Sequence, residues 1–186
     1  MKLKFDIITI AIVIIIVIII IYIAITYINN YNKRDIVSQI TQHIFLSSYN
    51  IANNYDILEK YNIKYILTIM SDKNCIDPFY KKMNYFDNIK YMRINKSDIF
   101  YENILESFDD AYKFIDEAVT NNQNILVHCY AGISRSPTIV ASYLMKKFCI
   151  SRDEALNIIK QKRNIIKPNF GFMKQLEKYQ KNMRCF

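Results

Sequence analysis

Between Ile7 and Asn32 the chain carries no charged residue, and 14 of the 22 positions from Ile7 to Ile28 are isoleucine. No face of a helix through this run would be polar. At about 1.5 Å per residue it reaches roughly 33 Å, enough to cross a hydrocarbon core. Isoleucine at mid-membrane favours insertion by roughly 0.3–0.6 kcal/mol per residue. A signal-peptide core is shorter, roughly 7–15 residues, and Ala24-Ile25-Thr26 is a poor cleavage site. Residues 7–28 therefore read as a membrane anchor and Tyr27–Asp35 as its interfacial edge and linker. This divides the chain into an anchor unit, 1–35, and a folded domain, 36–186.

Beyond residue 35 short apolar runs alternate with helical patterns. Ile44–Leu46, Tyr65–Met70, Ile89–Ile94 and Ile125–Cys129 read as buried strands. Asn54–Tyr61 reads as a short amphipathic helix. Glu102–Thr120 is the clearest helix, with Ile104, Leu105, Phe108, Ala111, Tyr112, Ile115, Ala118 and Val119 on one face. Pro137 suits a first helical turn, so a buried helix is expected from there to Phe148. Ser151 and Glu154 form a capping box that opens a helix reaching about Ile166. Pro168 stops it, and Asn169–Met183 makes the last helix. Ser71–Asn88 is polar, contains Pro78 and has no clean period. The alternation predicts an α/β domain, a central mostly parallel sheet flanked by helices, with one transmembrane helix ahead of it.

Charge and cysteine usage narrow the picture. From Ile36 to Phe186 there are 21 Lys plus Arg against 15 Asp plus Glu. That modest excess suits a solvated surface, an anionic membrane or phosphorylated partners, and no nucleic-acid partner is expected. Cys75, Cys129, Cys149 and Cys185 have neither a paired framework nor a metal-binding spacing. With only two histidines, a His-rich metal site is excluded. No cofactor and no metal are expected.

The chemistry concentrates in "HCYAGISRSP", His128–Pro137. In open α/β sheets ligands bind beyond the carboxyl ends of strands, and this stretch joins a buried strand to a helix start. Backbone amides and the positive dipole end at such a junction suit an anion. Gly132 gives the loop freedom to curl so that its N–H groups converge. Arg135 adds a planar fork able to bond two oxygens of one phosphate. The same field favours a thiolate at Cys129. A nucleophile and a phosphate cradle are thus built from one loop.

The stretch "VHCYAGISRSPTIVASYLM" resembles the signature of the dual-specificity phosphatases, within the cysteine-based protein tyrosine phosphatase superfamily. "RNIIKPNFGFMKQLEKY" (Arg163–Tyr179) is similar to the family's closing helix pair, and "ITQHIFLSSYNIANN" (Ile40–Asn54) to its opening strand. Two positions depart from the pattern: Ser47 where glycine is usual, and Ser142 where alanine is usual. The resemblance implies a phosphate-binding loop of Tyr130, Ala131, Gly132, Ile133 and Ser134 between central strand and helix. It implies that Cys129 is the nucleophile, that Arg135 holds the equatorial oxygens and that Ser136 hydrogen-bonds the thiolate. His128 would position the loop without moving protons. Asp98, after the strand ending near Ile94, would be the general acid.

The function expected is hydrolysis of phosphotyrosine and phosphoserine or phosphothreonine in proteins, through a cysteinyl-phosphate. A phosphoinositide or other lipid phosphatase and a phospho-binding pseudophosphatase are the alternatives. The uncharged loop side chains weigh against the first, and the intact Cys129 against the second. The protein is expected to be single-pass, membrane-bound, with the catalytic domain in the cytosol, where a thiol persists. Lys2 and Lys4 before the anchor balance Lys33 and Arg34 after it, so charge alone does not set its orientation. Phosphorylated proteins are the expected partners, and oligomeric state is not read from the sequence.

Overall fold

In the computed structural model, described over residues 7–34, 36–71 and 89–183, the chain divides into two units, Met1–Lys33 and Arg34–Phe186. The described part of the first lies in helix α1 (Ile7–Arg34). Its segment Thr9–Thr26 has a mean hydropathy of 3.3, and the helix is long and apolar enough to cross a membrane.

The second unit is built on a five-stranded sheet of order β1-β2-β5-β3-β4. The strands are β1 (Ser38–Gln39), β2 (Ile44–Ser47), β3 (Ile63–Ile69), β4 (Lys90–Ile94) and β5 (Asn124–His128). Among the described residues only the β1–β2 pair is antiparallel; β2–β5, β3–β5 and β3–β4 are parallel. The mostly parallel sheet expected from the alternation is present.

Successive strand residues face opposite sides of a sheet, and here both sides are apolar. Ile44, Leu46, Tyr65, Leu67, Ile69, Ile125 and Val127 enter the larger core with Phe108, Ile115, Ile139, Tyr143 and Phe172. Phe45, Ile66 and Leu126, the intervening residues, enter a smaller core with Ala52 and Leu58. The large face is covered by α4 (Phe108–Thr120), α5 (Arg135–Phe148), α6 (Arg152–Lys162) and α7 (Phe170–Asn182). The small face carries α2 (Tyr49–Ala52) and α3 (Tyr55–Lys60).

Boundaries differ from the sequence reading in physically simple ways. A 3₁₀ turn at Leu105–Ser107 precedes α4, so the helix expected from Glu102 starts at Phe108. The helix expected from Pro137 begins two residues earlier, at Arg135. Helix α6 ends at Lys162 rather than Ile166; its capping box, Ser151 with Glu154, is formed. Strand β1 and the one-turn α2 carry too few residues for a periodic signal, and the Ser71–Asn88 reading falls mostly outside the described residues. The absence of cysteine pairing needs correction. Cys149, the left-handed C-cap of α5, is disulfide-bonded, because pairing depends on three-dimensional proximity that spacing along the chain does not disclose. Cys129 is free and buried.

Candidate active site

Strand β5 ends at His128, and α5 begins at Arg135. The six residues between them close a tight loop. Gly132 sits at φ +65°, and a Cβ there would lie 2.4 Å from the Ser47 carbonyl oxygen and 2.8 Å from Arg163 Nη2. Both the left-handed backbone and the close approach require glycine.

The loop's carbonyls are taken from outside. Tyr130 O accepts from the Tyr49 N–H (3.1 Å), and Ile133 O from the Lys167 N–H (2.8 Å). Arg163 donates from Nη2 to Ala131 O (3.2 Å) and from Nε to Gly132 O (2.8 Å). A trans peptide directs the next residue's N–H opposite to its C=O. Four successive outward carbonyls therefore turn the N–H groups of residues 131–134 inward, forming an anion-binding nest. The Gly132 N–H already points at Cys129 Sγ, 3.3 Å away.

Cys129 lies at the base of this nest, 1% exposed. Its sulfur also accepts a hydrogen bond from Ser136 Oγ at 3.2 Å. Two donors, one from the backbone and one from a side chain, are thus aimed at one sulfur. Arg135 is 9% exposed, donates from Nη1 to Lys96 O (3.2 Å), and keeps its buried Nε without a hydrogen-bond partner. That Nε is 3.6 Å from Asp98 Oδ2. A buried guanidinium nitrogen that has an ion-pair partner but no hydrogen bond, beside an inward nest, is a donor suited to an anion's oxygens.

Asp98 approaches from the connection after β4. Its Oδ1 accepts from Ser134 Oγ (2.7 Å) and Asn169 Nδ2 (2.9 Å). Ser134 is the N-cap of α5, yet no side chain caps that helix, so its first-turn amides stay open to an anion. His128 is fully buried, with Nε2 2.7 Å from Thr68 Oγ1. Burial, reinforced by the charges of Arg135 and Arg93 against the opposing Cys129 backbone, lowers its pKa to about 3. It is therefore neutral at physiological pH.

All the residues singled out from the sequence converge on this cleft, though not in one manner. Cys129, Arg135, Ser136, Gly132 and Asp98 line the cleft. Ala131 and Ile133 act through their backbone, and Tyr130 leaves its ring 64% exposed at the rim. Ser134 gives its backbone N–H to the nest and its hydroxyl to Asp98. Phe100, Tyr101 and Phe170 add exposed aromatic rings on the segments that carry Asp98 and Asn169.

Two residues of the site escaped the sequence reading. Arg163, 3% exposed, holds two loop carbonyls and reaches Ile36 O (2.9 Å) and Ser38 Oγ (3.4 Å) as well. Asn169 reads from sequence as a helix start, which it is, but it also holds Asp98. The available signal was that both lie in Arg163–Tyr179, the stretch similar to the family's closing helix pair.

Comparison with known proteins agrees with this geometry. Residues 44–182 match the family model "Dual specificity phosphatase, catalytic domain". Human dual specificity protein phosphatase 6 is 38% identical over 148 residues, 78% of this chain and 36% of the relative. Dual specificity protein phosphatase 1 of Arabidopsis thaliana is 36% identical over 154 residues, 83% of this chain and 74% of that protein. The chain thus spans little more than a third of the length of the human relative. Among solved structures, the human tyrosine phosphatase-like serine/threonine/tyrosine-interacting protein superposes with a TM-score of 0.71 at 31% identity. The match covers 80% of this chain and 97% of that one. With its motif, nest and fold in agreement, the chain belongs to the dual specificity phosphatase catalytic-domain family.

Proposed function

We propose that the protein is a membrane-anchored phosphatase that hydrolyses phosphotyrosine and phosphoserine or phosphothreonine in proteins. The observation that carries this is Cys129 Sγ, held by the Gly132 N–H and the Ser136 hydroxyl inside a nest of inward amides. The thiolate attacks phosphorus in line with the leaving oxygen. The nest and Arg135 hold the equatorial oxygens, whose charge must be balanced in the transition state. As the P–O bond breaks, Asp98 gives its proton to the departing oxygen, leaving a cysteinyl-phosphate. Asp98, now a carboxylate, takes a proton from the water that attacks phosphorus, and the Ser136 hydroxyl supports Cys129 as it leaves as thiolate. Residues 7–28 span the membrane, residues 1–35 form the anchor unit, and residues 36–186 form a cytosolic catalytic domain acting on nearby phosphoproteins.

A phospho-binding protein without turnover is the second reading, because the solved human neighbour is described as phosphatase-like and interacting. The intact Cys129 with its two donors favours turnover. The test is the full chain in lipid nanodiscs, assayed against phosphopeptide and phosphoinositide panels. Phosphate release from phosphopeptides, lost in Cys129→Ser with binding retained, is expected. Binding without release by the wild type would favour the second reading, and exclusive release from phosphoinositides would favour a lipid phosphatase.

A further inference from the structure

The two donors on Asp98 Oδ1 have their directions fixed by other bonds. Asn169 is the N-cap of α7, and its side-chain oxygen accepts from the Phe172 N–H at 3.0 Å. Only its amide NH₂ is left to face Asp98. The Ser134 oxygen accepts from the Asn169 backbone N–H at 3.1 Å. Its single hydroxyl proton is therefore directed to Asp98. An acid proton on Oδ1 would point at two donors already within hydrogen-bond distance, so the proton belongs on Oδ2, whose nearest donor, Arg135 Nε, stands off at 3.6 Å. Oδ2 is the oxygen that faces Arg135 Nε, where phosphate oxygens would sit.

We propose that Asn169 is a positioning residue for the reaction, holding Asp98 both directly and through Ser134. It keeps Oδ1 a permanent acceptor and commits Oδ2 to proton transfer. This rests on the reading of Asp98 as the general acid. In the first step the Oδ2 proton passes to the leaving oxygen as its bond to phosphorus breaks. The carboxylate charge that develops is shared with Oδ1, where two donors already wait, so they bind the transition state better than the ground state. In the second step Oδ2 receives the proton of the attacking water. Helix α7 thereby contributes to the chemistry through its N-cap residue.

The experiment uses the full chain in nanodiscs and two substrates, a phosphoserine peptide and an aryl phosphate whose phenolate leaves without protonation. Asn169→Ser keeps an N-cap acceptor but withdraws the donor from Asp98; Asn169→Ala loses both. Both variants should lower kcat on the phosphoserine peptide roughly tenfold, the reach of one hydrogen bond to a charged group. KM and aryl phosphate turnover should be nearly unchanged, and only Asn169→Ala should lose marked stability. Added to Asp98→Asn, either change should cost little more. Equal losses on both substrates, or full additivity with Asp98→Asn, would overturn the positioning role. An Asp98→Asn variant that itself treats the two substrates alike would overturn the acid assignment, and the proposal with it.

Discussion

Mild acid should weaken the catalytic domain through one side chain. His128 is fully buried and its pKa falls to about 3, from an ordinary 6.5. The unfolded chain binds a proton at this position as the pH drops below 6.5, whereas the native protein does so only near pH 3. Across that window the unfolded state carries more protons, so stability rises with pH and is lost on acidification. At pH 5.0 the native imidazole is still neutral, and the loss is set by the unfolded value alone. It comes to about 2 kcal/mol relative to pH 7.5. For a domain whose total stability is typically about 5–15 kcal/mol, that is easily measured.

The shifted carboxylates titrate mainly below the range pH 5.0–7.5. The Ser97 N–H holds Glu102 below the usual carboxylate range, and Lys146 does the same for Asp109. Lys90 acts likewise on Glu117. Their contributions are present above the ordinary carboxylate pKa and fade mainly below about pH 4.5. Urea unfolding followed by near-ultraviolet circular dichroism, which tyrosines supply in a chain without tryptophan, should be run at pH 7.5, 6.0 and 5.0. The wild type should lose stability steadily, and His128→Gln, starting lower, should be nearly flat while retaining His43. A flat wild-type profile, or an undiminished slope in His128→Gln, would refute the account of a buried neutral imidazole.

Three further outcomes are expected. Gly132→Ala must place a methyl 2.4 Å from a backbone oxygen at a positive φ. It should cost about 2–5 kcal/mol in urea unfolding and lower kcat/KM at least tenfold (roughly the weight of one lost cradle donor). Arg163→Met strips the donors from Ala131 O, Gly132 O and Ile36 O. It should destabilise by about 2–4 kcal/mol and weaken binding of inorganic phosphate, measured by calorimetry; unchanged phosphate affinity would deny it any hold on the nest. Protease added to sealed vesicles with their cytosolic face outward should digest residues 36–186, where a reducing compartment would also open the Cys149 disulfide. Protection without detergent would reverse the orientation.

The features legible in the sequence were those whose cause is local. A buried parallel strand announces itself as an apolar run, and Tyr65–Met70 and Ile125–Cys129 lie within a residue or two of β3 and β5. The Ser151 capping box is a four-residue device, and it is formed as read. Illegible features depended on a partner far along the chain. Strand β1 exists because Ser38 and Gln39 pair with Leu46 and Phe45, not because of any pattern in two residues. The start of α4 shifts because residues 104–107 tighten into a 3₁₀ turn, with the Leu105 N–H bound by Gln175.

The same division runs through the active site. Cys129, Gly132, Arg135 and Ser136 sit within eight consecutive residues, so their spacing alone implies a loop that curls around an anion. What holds the curl open is not in that stretch. Arg163 reaches Gly132 O across 31 positions, and Asn169 reaches Asp98 across 71. Each carbonyl that Tyr49, Arg163 and Lys167 engage from outside turns one more N–H inward. The inward amides are therefore a consequence of outward contacts. An anion cradle needs unsatisfied donors in a buried place, which a chain tolerates only when the opposite side of each peptide is fully bonded. The recognisable motif is the half of the cradle that faces inward. The half that keeps it in shape is a buried arginine and a helix-capping asparagine, residue types that carry no such signal by themselves.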